Sequence, residues 1–216
     1  MTIRSLASLA FRAVRYELRL YLSLARWITR RPSIPRGQTP VRYAQAATPV
    51  IALWIFASGA EIPLFHVLVP WHGVRLTGLA LGVWGLLWML GMLASLRVHP
   101  HLFDSSTLRV RNGPSIDIAV PWAAIDSLST RRADLPSSAR SLQPVDTDRG
   151  THLRIGVSGQ VNVHAQLTEP LDVHTPRGPM TIVELSFLVD DPREFVREAR
   201  SYVDGRDVIP SPRSGH

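Results

Sequence analysis

Two apolar runs, Ala47–Val69 and Val74–Leu96, follow one another with only Pro70, Trp71, His72 and Gly73 between them. Each is 23 residues long, so as a helix rising ~1.5 Å per residue it exceeds the ~30 Å hydrocarbon core of a bilayer. Four residues leave no room for a folded loop, so the pair reads as a helical hairpin with two transmembrane helices. Trp71 at its tip suits the lipid–water interface. A secretory signal fits poorly: the first run starts near residue 47, is too long for a signal core, and lacks a small-residue cleavage site before the second run.

Charge gives the hairpin a direction. Nine arginines precede the first run, Arg75 alone sits by the tip, and Arg97, Arg109 and Arg111 follow the second run. Arginine bias therefore predicts a multi-pass protein of the cytoplasmic membrane with both termini cytoplasmic. The net charge of +7 has one source: residues 1–97 hold 11 Arg against Glu17 and Glu61, whereas residues 98–216 are slightly acidic. A basic balance lying beside apolar spans points to anionic lipid headgroups as partner and away from nucleic acid. All basic residues are arginine, as a GC-rich bacterial coding bias gives, and the absence of cysteine excludes disulfides and thiolate chemistry.

Residues 1–31 are periodic. At 100° per residue, Arg4, Arg12, Arg15, Arg19, Arg26 and Arg30 share a sector of about 80°, with Leu6, Leu9, Ala13, Leu20, Leu24 and Trp27 across the helix. This predicts a basic amphipathic helix lying in the headgroup layer. Packing on the protein's own soluble domain is the competing reading, and Glu17, inside the apolar sector, weakens the membrane-lying one. Residues 32–46, with three prolines and a glycine in RRPSIPRGQTP, read as a linker.

Beyond His99-Pro100-His101 the pattern changes to period two. TLRVRN (107–112), a turn at Gly113 and SIDIAV (115–120) predict a hairpin, followed by a strand around Ile125–Arg132. Residues 133–148 read as a long loop, and strands are expected at 152–157, 160–167, 171–175 and 181–189. A helix then closes the domain: Asp191 is a good N-cap, Pro192 fits the first helical position, and Phe195, Val196, Ala199, Tyr202 and Val203 form one apolar face. Residues 205–216 read as a disordered tail.

Seven strands and a final helix follow the order of a pleckstrin-homology-like (PH-like) barrel. The stretch LRVRNGPSIDIAVPWAAIDSL (108–128) resembles the opening of bacterial PH-like domains, and FLVDDPREFVREAR (187–200) is similar to their last strand and capped helix. The resemblance spans about residues 105–204 and implies an α+β membrane protein carrying a cytoplasmic seven-stranded barrel. Members of that bacterial group mostly lack an assigned biochemical activity, so the resemblance supplies no catalytic role. The eukaryotic phosphoinositide pocket does not carry over, because no lysine-rich loop follows the first strand.

Catalytic motifs are missing: there is no GxSxG elbow, Walker loop or GxGxxG, and GVSGQ (156–160) lacks the elbow register. His152, His164 and His174 fall on three predicted strands without a metal-ligating spacing, so neither metal nor cofactor is expected. Glu61 is the outlier within the first span, since a charged, unpaired group there costs several kcal/mol. In a hairpin turning near residue 72 it lies level with about Val83, so His66 and Trp84 are its candidate donors. Gly78, Gly82 and Gly85 share one face of the second helix and permit close approach of a neighbouring helix, or of a second copy of the chain. Two functions lead: a membrane-anchored binding or scaffolding protein serving a lipid or unidentified protein partner, and a subunit of a transport or ion-handling assembly built around Glu61; a metal-dependent enzyme using the domain histidines is a third, weaker option.

Overall fold

The computed structural model describes residues 3–136 and 141–204, without the side chains of residues 3–9, 12 and 204. The expected tail at 205–216 lies outside the described residues. The chain divides into two units, one of residues 1–33, 47–99 and 113–115, the other of residues 34–46, 100–112 and 116–216.

The first unit is helical. Helix α1 spans Ile3–Ile28, α2 spans Thr48–Leu68 and α3 spans His72–Val98. Both α2 and α3 are long and apolar enough to cross a membrane. Apolar residues occupy every side of α2, no residue of it is buried, and the helix runs on through Pro63. A helix apolar all round belongs in lipid or in a large core, and the unit supplies no such core. Phe65 lies against Gly78, where any side chain would overlap its ring, and Ile62 lies against Gly82, 3.0 Å from where a methyl group would stand. These two contacts set the hairpin register. Gly85 has open space beside it, so it takes no part in this packing.

Helix α1 packs on α3 and runs alongside it in the same direction. Leu20 meets Gly91 closely enough that a methyl group there would stand 3.2 Å from the Leu20 carbonyl oxygen. Further along, the Arg97 guanidinium lies 5.4 Å from the centre of the Trp27 ring. Leu20 and Ser23 are buried, and Glu17, Leu24 and Trp27 are half-buried. The face across from the arginines, expected to lie in the headgroup layer, is thus docked on α3 over its C-terminal half. A different stripe, Phe11, Val14, Leu18 and Leu22, stays exposed.

The second unit holds two sheets and a helix. In chain order its strands are β1 (Thr39–Val41), β2 (His101–Phe103), β3 (Thr107–Asn112), β4 (Ile116–Pro121), β5 (Ile125–Asp134), β6 (Leu142–Thr147), β7 (Gly150–Ile155), β8 (Gln160–Thr175) and β9 (Gly178–Phe187), followed by helix α4 (Pro192–Asp204). One sheet has the order β1-β2-β3-β4, the other β5-β8-β9-β7-β6. All pairings are antiparallel except β7 with β9. The α+β class stands, but the seven-stranded barrel does not: nine strands in two open sheets replace it among the described residues.

The differences have local causes. Residues 160–167 and 171–175 form one strand, β8, with a register shift between Gln166 and Leu171 that absorbs Pro170. Part of the expected loop at 133–148 is β6, hairpinned onto β7. The segment 32–46 is more than a linker, because Thr39-Pro40-Val41 adds an edge strand to β2, a position where proline's missing N–H costs nothing. Tyr43, just beyond it, is fully buried and stacks on His101 with ring centres 4.4 Å apart.

One core joins both sheets and α4. Phe103, Val110 and Ile118 from the first sheet, Ile155, Val163 and Phe187 from the second, and Phe195, Ala199 and Val203 of α4 belong to it. The VPW step places Trp122 at the join: its indole N–H donates to the Asp104 carbonyl at 2.8 Å, and its ring stacks on Tyr202. The α4 start is capped as the sequence predicts, with the Glu194 amide donating to the Asp191 carboxylate at 2.9 Å.

Candidate functional site

Three strands of the second sheet bring a group of titratable side chains together. Core residues Leu153, Ile155, Val163, Ala165, Leu185 and Phe187 alternate with residues on the opposite face. Period two then sends His152, His164, Glu184 and Ser186 to that opposite face. The register brings them together: His152 stands opposite Glu184 across the parallel β7–β9 pair, and His164 stands opposite Ser186 across β8–β9. His174, the third histidine singled out in the sequence, pairs with Pro179 toward the far end of β8 and stays apart.

Distances define the cluster. His152 Nδ1 is 3.4 Å and His164 Nε2 is 4.0 Å from the same Glu184 carboxylate oxygen. The other nitrogens, His152 Nε2 and His164 Nδ1, reach the Ser186 hydroxyl at 2.9 and 3.1 Å. One donor atom from each of His152, His164 and Glu184 lies within 4.8 Å of the others. Burial, with help from Arg154, pushes His152 down to about 4 despite the opposing pull of Glu184. His164 is lowered by the same burial and by Arg131 and Arg154, again against Glu184. Both shifts favour the neutral ring, the form that binds a metal ion. Neutral imidazoles beside a carboxylate can also take and return a proton.

His101 is different in kind. It is fully buried, accepts from the Arg111 amide at Nδ1 (2.9 Å) and donates from Nε2 to the Leu188 carbonyl (2.8 Å). Both ring nitrogens are used in holding β2 and β3 to the end of β9, so this histidine is structural. Arg109 is likewise engaged on the surface, bonding Asp117 through two nitrogens at 3.1 and 2.7 Å.

In the helical unit the polar residues pair differently from expectation. Trp84 Nε1–H donates to Glu17 of α1, which also accepts from the Tyr21 hydroxyl at 2.6 Å. The glutamate that weakened α1 as a surface helix is thus the polar link to α3. Glu61 and His66 are exposed on α2 and have no hydrogen-bond partner among the described residues. Of the arginines expected to contact lipid, Arg15, Arg26 and Arg30 are exposed, and Arg19 is half-buried near the Pro114 carbonyl. Arg4 and Arg12 lie on α1 with side chains outside the described ones.

Sequence reasoning missed Glu184, Ser186, Tyr21 and Gly91. Glu184 and Ser186 alternate with Val183, Leu185 and Phe187 in TIVELSFLV, so their sharing of a face was readable. Their meeting with His152 depends on a parallel pairing that no local pattern encodes. In comparisons with known proteins, no family model, curated protein or solved structure matches the chain.

Proposed function

We propose that the chain is a membrane-anchored binding protein whose β-rich, PH-like domain is presented in the cytoplasm to a lipid or protein partner, without catalysis. The observation that carries this reading is α2, a 21-residue apolar helix with no buried residue. Exposing such a surface to water is strongly unfavourable, and a bilayer removes that cost. The hairpin of α2 and α3 is then the anchor. The exposed stripe of α1 meets acyl chains while Arg26 and Arg30, beside the Arg97 end of α3, reach anionic phosphates, each contributing on the order of 1 kcal/mol. Edge strands β1 and β6 offer unpaired backbone for strand addition by a partner.

The test is lipid selection. Reconstituted into vesicles of mixed neutral and anionic lipid and re-extracted, the wild-type chain is expected to carry anionic lipid several-fold above its bulk share. The double change of Arg26 and Arg30 to Gln should bring that enrichment down. Equal lipid composition for the two proteins counts against the basic helix as a lipid reader.

Glu61 supports a second reading, a subunit of a transport or ion-handling assembly. A carboxyl group on a lipid-exposed helix needs a partner, and another chain can supply one. Proton-linked flux that disappears in Glu61→Gln with assembly intact would favour this reading over the first.

A further inference from the structure

We propose that His152, His164 and Glu184 bind a divalent first-row transition-metal ion, zinc foremost, on the outer face of the five-stranded sheet. The argument begins with the Ser186 hydroxyl, which has one proton and two lone pairs. Both imidazoles bond to that oxygen, at 2.9 and 3.1 Å. Ser186 can donate to only one of them, so at least one ring must donate to Ser186. A neutral ring that does so turns its bare nitrogen toward the Glu184 carboxylate. If both rings donate to Ser186, both bare nitrogens face it. A lone pair set against a carboxylate oxygen is repulsive unless a proton or a metal ion lies between them.

The geometry suits a metal as that cation. Donors bound at ~2.0–2.1 Å in a tetrahedron stand roughly 3.3–3.5 Å apart. His152 Nδ1 and Glu184 already meet this spacing at 3.4 Å, His164 Nε2 stands 4.0 Å from the same oxygen, and one donor atom of each residue lies within 4.8 Å of the others, so side-chain rotation has only a short way to close. Two imidazoles and one carboxylate are a ligand set of zinc sites that keep an open position, and imidazole also suits iron, nickel and copper. Ser186 fits as the group accepting the remaining N–H of each ring, which fixes the tautomer and aims the rings. Three rigid, adjacent strands carry all four residues, and the three ligand side chains are partly accessible, so an ion has an entry path. Arg131 and Arg154 act electrostatically on these imidazoles. They oppose a bare cation, so the open position should be filled by an anion such as hydroxide, chloride or phosphate.

The test is a Co²⁺ titration of the full-length chain in detergent, stripped with chelator beforehand and followed by visible absorption. The proposal expects the d–d bands of a low-symmetry four- or five-coordinate site, saturating at one ion per chain and suppressed by competing Zn²⁺. Glu184→Gln and His164→Ala should each remove the bands. Ser186→Ala should weaken binding about 10–100-fold while keeping the stoichiometry. His174→Ala, outside the cluster, should bind as wild type. An unchanged spectrum in folded Glu184→Gln overturns the proposal, and so does a wild-type chain that binds no Co²⁺ and shows no Zn²⁺-dependent rise in melting temperature. In the second case a proton serves as the shared cation. None of these readouts involves vesicles or lipid, so their failure leaves the anchoring function untouched.

Discussion

At the scale of single residues, His101 illustrates how a titratable group becomes part of a core. Burial holds it down to about 4, against an ordinary value of 6.5, although its bond to the Leu188 carbonyl pulls the other way. The folded state keeps the ring neutral while the unfolded chain takes up a proton below pH ~6.5. This contribution to stability is therefore present above pH ~6.5 and is lost as pH falls toward 4, about 3 kcal/mol in all. His101→Gln can keep one acceptor and one donor without titrating. Urea unfolding at pH 7 and pH 4.5 should show a smaller pH effect in this variant than in wild type; an equal effect would assign the acid sensitivity to other groups. Glu17 is the other instructive residue, because its place in an otherwise apolar sector was visible in the sequence while its partner, Trp84, was not. The sequence pointed Trp84 at Glu61, since hairpin register was readable and docking of a third helix was not.

At the scale of elements, glycine decides how closely helices meet. Gly91 lets the Leu20 backbone approach α3, so Gly91→Val should destabilise the helical unit by about 1–3 kcal/mol and expose α1 to protease, with α2 unaffected. Gly85→Val, with open space around it, should change neither in a monomer. Protease protection of the two variants in parallel separates these outcomes. In the β-rich unit, Trp122 ties α4 to the strands through Tyr202 and Phe103. Trp122→Ala should cost about 3–5 kcal/mol, read as a lowered denaturant midpoint. The elements legible in the sequence are those with local signals: the hairpin turn, β3–β4 around Gly113, and the Asp191 cap. Those that were not depend on distant partners. Thr39–Val41 is a strand only because β2 lies beside it, and β7 meets β9 with the whole of β8 between them in the chain.

At the scale of the whole molecule, the central proposal is a membrane anchor carrying a cytoplasmic domain. The α+β class and two apolar helices were legible because length and composition suffice for them. The sheet arrangement was not, because period two gives faces but leaves strand order open. The cysteine-free sequence makes the decisive measurement direct. Single cysteines replacing Ala25, Trp71 and Ser201 are labelled in sealed cells with a membrane-impermeant maleimide, then again after lysis. The account predicts labelling of the Trp71 position alone in sealed cells, with the other two reacting only after lysis. Labelling at Ala25 or Ser201 in sealed cells, or protection at Trp71, contradicts it.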